Sequence, residues 1–155
     1  MGSIEAVTVR EVSKQVSVLP EDPVIIIGGA DIIAEYNKKL DRAIKIYNRR
    51  LEKLSSPYFL RTKHKVGEYE YAGRYFYKHI WDEDSGKLKE IYVGLTVPDD
   101  EQVPEGGFPP SPTNDLEGFQ YRTIYHDIIC SRDMFDEFYE FFKGKKIIVL
   151  RLRIP

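Results

Sequence analysis

The sequence predicts an α+β fold: a mainly antiparallel sheet with one long and one short helix packed on it. Three observations carry that prediction. Between Tyr69 and Trp81, aromatic side chains recur at every second position, the period of a strand, and a strand-like run from Leu88 to Val93 follows. Between Ile32 and Leu54, apolar residues recur at three- and four-residue steps, the period of a helix. Near the C-terminus, a short aromatic helical pattern lies between two strand-like segments. Hairpins in mixed order with helices favour α+β.

Taken in order, residues 3–20 hold short β-branched runs, Ala6-Val7-Thr8-Val9 and Val16-Ser17-Val18, that suit an edge strand or an ordered arm. Pro20 and Pro23 bracket an acidic turn. Val24 to Ile27 is a continuous apolar run of strand length, ended by Gly28-Gly29. Asp31 is placed to cap the following helix. The stripe Ile33, Tyr36, Leu40, Ala43, Ile44, Tyr47, Leu51 and Leu54 gives that helix one apolar face; Lys38, Lys39, Arg42, Lys45, Arg49, Arg50 and Lys53 populate the rest of its surface. At a rise of 1.5 Å per residue it is roughly 35 Å long. It ends at Ser55-Ser56-Pro57, and Tyr58-Phe59-Leu60 anchor the chain back on the core.

Asp84-Ser85-Gly86 supplies turn chemistry between the two strands of the hairpin. One face of its first strand carries Tyr69, Tyr71, Tyr75, Tyr77, His79 and Trp81, with Gly73 as the one gap. The other carries Glu70, Ala72, Arg74, Phe76, Lys78 and Ile80. A loop at about 98–118 follows, with five prolines, three glycines and six acids but no base, and it reads as long, acidic and exposed. Phe119 to Cys130 reads as one strand. Ser131 is a helix N-cap before the aromatic helix Met134 to Phe142, Gly144 ends that helix, and Lys145 to Ile154 is a final strand with Arg151 and Arg153 on one face.

The chain of 155 residues suits a single domain over 1–155. Hydrophobic content of 42% against 31% charged excludes a disordered chain. One cysteine, Cys130, excludes an internal disulfide and a cysteine-rich zinc site, and a reducing, cytoplasmic compartment is expected. No apolar run reaches the roughly 18 residues of a membrane span, and the N-terminus does not read as a signal peptide. Abundant Lys and Glu with scarce Gln and Asn lean thermophilic. The net charge of −2 conceals segregation: Lys38 to Trp81 holds twelve Lys or Arg against four Asp or Glu. A local basic surface attracts polyanions whatever the sum.

Catalytic and cofactor signals are thin. His64, His79 and His126 are far apart in sequence, and no second pair accompanies His126 and Cys130. Ile27-Gly28-Gly29-Ala30 lacks the third glycine of a dinucleotide fingerprint and the Gly-Lys-Ser/Thr of a P-loop, so the glycines read as a tight turn. Glu68, Glu70, Asp82, Glu83 and Asp84 are the carboxylates a Mg²⁺ nuclease would need, but they sit at opposite ends of a strand. No catalytic residue, cofactor or metal is expected.

The aromatic row within a basic frame is what holding unpaired nucleotides requires, since every base has a π-face and every phosphate a charge. The candidate nucleic-acid-binding residues are Arg42, Lys45, Arg49, Lys53, Arg61, Lys63, Lys65, Tyr71, Arg74, Tyr75, Tyr77, Lys78, Trp81, Arg151 and Arg153. The competing reading makes the row the core of the sheet, packed under the long helix. The size, the thermophilic composition, the helix-and-sheet order and the basic–aromatic middle (Arg61 to Val93) resemble the archaeal single-stranded DNA-binding proteins of the ThermoDBP type and their shorter relatives. That resemblance implies binding of single-stranded DNA with little sequence preference, in a cleft with basic and apolar walls, by an oligomer. The full-length type has a C-terminal leucine zipper; Arg151-Leu152-Arg153-Ile154-Pro155 carries none and looks like a shorter relative.

The expected activity is therefore non-catalytic binding of single-stranded DNA or RNA, by a homo-oligomer with no membrane partner. Two alternatives stay open: a protein-interaction or assembly module, and a metal-dependent nuclease.

Overall fold

The computed structural model describes residues 19–98 and 102–151. The expected arm at residues 3–20 falls almost wholly outside them, as does Arg153. Seven antiparallel strands and three helices make an α+β fold: β1 (Pro23–Ile26), α1 (Gly29–Lys53), β2 (Tyr58–Val66), β3 (Tyr69–Asp82), β4 (Lys87–Gly94), β5 (Gln120–Ile124), β6 (Asp127–Ser131), α2 (Arg132–Glu137), α3 (Tyr139–Phe142) and β7 (Ile147–Val149). The described chain divides into two compact units, one of residues 19–32, 67–69 and 120–151, the other of 33–66 and 70–119.

In the first unit, β1 lies between β6 and β7, pairing Val24 with Cys130 on one side and with Val149 on the other. Val24, Ile26, Ile128, Ile129, Cys130, Tyr121, Phe135 and Phe142 are buried here. Burial pushes the Cys130 thiol up to about 12, so it behaves as a small apolar side chain. The expected single strand from Phe119 to Cys130 is two strands: the chain reverses at Tyr125, whose φ is 56°, and β5 pairs with β6 through Arg122–Ile129 and Ile124–Asp127. No glycine or proline marks that turn, so residue type did not announce it.

The two glycines before the long helix have separate reasons. Gly28 sits at a φ of 71° and donates its N–H to Asp127 Oδ1 at 2.7 Å. Gly29 lies against Ile128, where a Cβ would come within 2.5 Å of Cγ1. The helix therefore starts at Gly29, ahead of Asp31, which sits in its first turn and faces His126 rather than capping the end. Ser131 does cap α2, accepting from Met134 N–H at 3.1 Å. The single short helix expected from Met134 to Phe142 is interrupted at Phe138, which separates α2 from α3.

In the second unit, the apolar stripe of α1 packs on β2 and β3. Leu40, Ile44, Tyr47, Leu51 and Leu60 form the cluster, with Tyr36, Phe76 and Phe108 against it. The stretch Tyr58–Val66, expected only as an anchor and a basic lead-in, is a nine-residue strand that alternates between buried Tyr58, Leu60 and Thr62 and exposed Arg61 and Lys63. The hairpin forms as expected. Its register runs from Asp82–Lys87 to Tyr77–Tyr92, and its turn is held by the Asp82 carboxylate, which accepts from Asp84 N–H and Ser85 Oγ.

The described part of the acidic loop is not the exposed connection expected. Pro104, Asn114 and Leu116 are buried, and Phe108 packs on Tyr58 and Phe76. The Tyr47 hydroxyl donates to Pro109 O at 2.8 Å. Asn114 is the main tie: its amide donates to Gly73 O and Thr62 O, and its oxygen accepts from Tyr36 Oη and Leu116 N–H. Proline-rich composition excludes regular structure but does not exclude burial once side chains meet the backbone's needs.

Candidate nucleic-acid interface

The packing of α1 decides which way the aromatic row faces. Phe76 belongs to the cluster under α1. Neighbouring residues of a strand point to opposite faces, so Tyr75 and Tyr77 lie on the side of the sheet away from the helix. The expectation that this row forms the core beneath the long helix is thus overturned: the core takes Ala72 and Phe76 from the other face. Tyr75, Tyr77 and His79 are half-buried, and Trp81 at the far end is 63% exposed.

The rings form a continuous array. Phe59 stacks on His79 at 4.3 Å and on Tyr77 at 5.8 Å. His64 stacks on Tyr92 at 3.8 Å, with planes 16° apart, and its Nδ1 is 2.8 Å from the Tyr77 hydroxyl. Tyr92 meets Tyr77 edge-on at 5.6 Å and is itself 45% exposed. Gly73, the gap in the row, leaves room for the Tyr75 ring, since a Cβ there would lie 3.0 Å from Tyr75 Cε2. The His79 Nδ1 is buried with no hydrogen-bond partner among the described residues, so that ring acts as an apolar plate. Burial raises the phenol pKa values of Tyr75 and Tyr77 above the ordinary range. Both hydroxyls therefore stay neutral and do not repel a phosphate.

The basic frame is less available than its residue count implies. Arg61 lies over Phe59 and Tyr77, 5.3 Å from each ring, and pairs with Glu90. Lys63 pairs with Glu70 at 3.6 Å. Arg74 is held by Glu117 at 3.1 Å and Ser111 at 3.0 Å, so a loop carboxylate occupies the position a phosphate would take. The Lys78 ammonium lies 5.5 Å from the Tyr58 ring. Lys65 is exposed.

The structure thus gathers Arg61, Tyr75, Tyr77 and Trp81 of the predicted set. Tyr71 is half-buried on the same strand, beyond Gly73. Arg42, Lys45, Arg49 and Lys53 are exposed on α1, on the opposite side of the sheet. Arg151 is exposed in the other unit. Sequence reasoning missed Phe59, His64, Glu90 and Tyr92. Counting the ladder back from the turn would have placed Tyr92 opposite Tyr77; Phe59 and His64 required recognising β2.

The nuclease carboxylates are separately engaged: Glu68 by Arg122, Glu70 by Lys63 and Asp82 by Lys89. Among the described residues no group of His, Cys, Asp and Glu side chains converges to hold a metal. No described helix is long and apolar enough to cross a membrane. No protein-family model matches the chain, and neither does any curated protein or solved structure.

Proposed function

We propose that the protein binds single-stranded nucleic acid, DNA in the first instance, without catalysis and with little sequence preference, through the open aromatic face of β2–β3–β4. The observation that carries the reading is the half-exposed array of six rings, Phe59, His64, Tyr75, Tyr77, His79 and Tyr92, on the side of the sheet that α1 leaves uncovered. Bases stack on the outward surfaces of Tyr92 and Trp81. Arg61 and Lys65 meet phosphates, with Glu90 released from Arg61 as a phosphate replaces it. The protein acts as a homo-oligomer in the cytoplasm of a thermophilic archaeon.

Fluorescence anisotropy with a labelled single-stranded oligonucleotide at two salt concentrations tests this. Stacking contributes about 1–3 kcal/mol per base. Replacing Trp81 and Tyr92 together with Ala is expected to weaken binding at least tenfold while leaving the melting temperature almost unchanged, because both side chains are largely exposed. Absence of binding at low salt refutes the proposal, and affinity indifferent to salt refutes its phosphate contacts.

A second reading has its own observation. Strand β4 pairs only with β3, and Leu88, Ile91 and Leu95 stand exposed along and just beyond it. An apolar edge of this kind favours assembly with another strand. Sedimentation of the wild type beside Leu88→Lys and Ile91→Lys variants distinguishes this reading, since only assembly through β4 predicts loss of a larger species.

A further inference from the structure

We propose that the outward face of α1 is a second, separate surface that takes the phosphate backbone of double-stranded nucleic acid. Lys38, Arg42, Lys45, Arg49 and Lys53 follow one another at steps of four, three, four and four residues, so they form one row along the helix. The buried stripe Leu40, Ile44, Tyr47 and Leu51 lies on the opposite side of the same helix. All five cations are exposed, and the row extends about 22 Å at 1.5 Å per residue.

Their freedom sets them apart. Around the hairpin, Arg61, Lys63, Arg74 and Lys89 are each matched by a carboxylate. Among the described residues no carboxylate pairs with Arg42, Lys45, Arg49 or Lys53, although Asp41 and Glu52 flank them; only Lys38 is engaged, by Glu35 at the surface. A row of unneutralised cations repels itself, and a polyanion relieves that repulsion while releasing counterions.

The chemistry of the row selects the partner. It contains no aromatic ring, so it offers unpaired bases nothing to stack on and recognises charge alone. Double-stranded DNA presents one charge per roughly 1.7 Å of axis, twice the density of a single strand of the same rise. The row is linear, which suits a rod of charge better than a flat lipid surface, and Ile46 is the one large apolar side chain exposed along α1. The thickness of a helix and a sheet, on the order of 20 Å, separates the row from the aromatic face. A strand stacked on the hairpin does not reach it directly. This surface stands independently of the single-strand reading, and the two together suit a protein that sits where paired and unpaired strands meet.

The test uses the full chain with a labelled duplex of 20 base pairs, a labelled single-stranded oligonucleotide, and vesicles of phosphatidylserine and phosphatidylcholine. Four neutralised phosphates make wild-type duplex affinity fall roughly a hundredfold between 50 and 200 mM salt. The variant R42Q/K45Q/R49Q/K53Q is expected to lose most duplex affinity and most of that salt slope. The charge-preserving R42K/K45R/R49K/K53R variant is expected to retain both, and Trp81→Ala with Tyr92→Ala is expected to leave duplex binding intact. Glutamine keeps a high helix propensity, and unchanged circular dichroism verifies the fold. The proposal is overturned if the wild type does not bind the duplex at 50 mM salt, or if the glutamine variant binds it as tightly. It is also overturned if that variant loses single-strand or vesicle binding alone.

Discussion

Asn114 holds the acidic loop to the sheet, and its replacement has a calculable cost. Its side chain is 6% exposed and makes four hydrogen bonds within the second unit. The strongest are the 2.8 Å donation to Gly73 O and the 3.0 Å acceptance from Leu116 N–H; the contact to Thr62 O is 3.4 Å. Asn114→Ala strands Gly73 O and Leu116 N–H in a buried setting. Each stranded group costs about 1–3 kcal/mol. Tyr36 loses little, because its hydroxyl still accepts from Asp115 N–H at 2.7 Å. The expected destabilisation is about 3 kcal/mol. For a chain of this size that lowers the melting temperature by roughly 6–12 °C. Asn114→Asp preserves shape and acceptor but removes both donations, and should also cost more than about 2 kcal/mol, since a carboxylate then faces two carbonyl oxygens. Urea unfolding followed by circular dichroism reads both variants. A double-mutant cycle with Tyr36→Phe isolates the Tyr36–Asn114 bond, expected near 1 kcal/mol. If both Asn114 variants unfold within about 0.5 kcal/mol of wild type, the loop is not fastened as described.

Two further outcomes follow from local geometry. Gly29→Ala, ordinarily favourable inside a helix, is expected to destabilise by about 1–3 kcal/mol, because the new Cβ meets Ile128 Cγ1 at 2.5 Å in a fully buried position; thermal melting reads it. His126 hydrogen-bonds Asp31 at 3.1 Å, and that bond, then the charge of Asp31, raises the imidazole pKa above its ordinary value. Its contribution to stability is therefore present in full below the unfolded pKa and is lost as pH rises through the folded one. An NMR titration should show His126 shifted upward in the wild type and returned to the ordinary range in Asp31→Asn.

The elements with a strong internal period were legible. The α1 stripe and the alternation in β3 each encode their own secondary structure, because one side must meet a core. The Asp84-Ser85-Gly86 turn was legible because its residue types carry the conformation, with Gly86 at a φ of 65°. The reversal at Tyr125 was hidden, since a tyrosine at positive φ is imposed by pairing of β5 with β6 and not by its own preference. Strand β2 was hidden because its alternating Arg61, Lys63 and Lys65 read as a basic tract rather than as the outer face of a strand.

By itself, the sequence determined the hairpin, the long amphipathic helix, the Ser131 cap and the segregation of charge. Periodicity and capping are properties of neighbouring residues and need no tertiary partner. Only the tertiary structure decided which side of β3 is core. A strand with rings on one face and Ala72, Arg74, Phe76 and Lys78 on the other has two apolar options, and α1 chose Phe76. That choice turned the tyrosines outward, set Tyr92 against Tyr77 and His64, gave Arg61, Lys63 and Arg74 their carboxylates, and left the row on α1 with none. Ion pairing depends on which charges the fold brings within about 4 Å of each other, and composition carries no information about that distance.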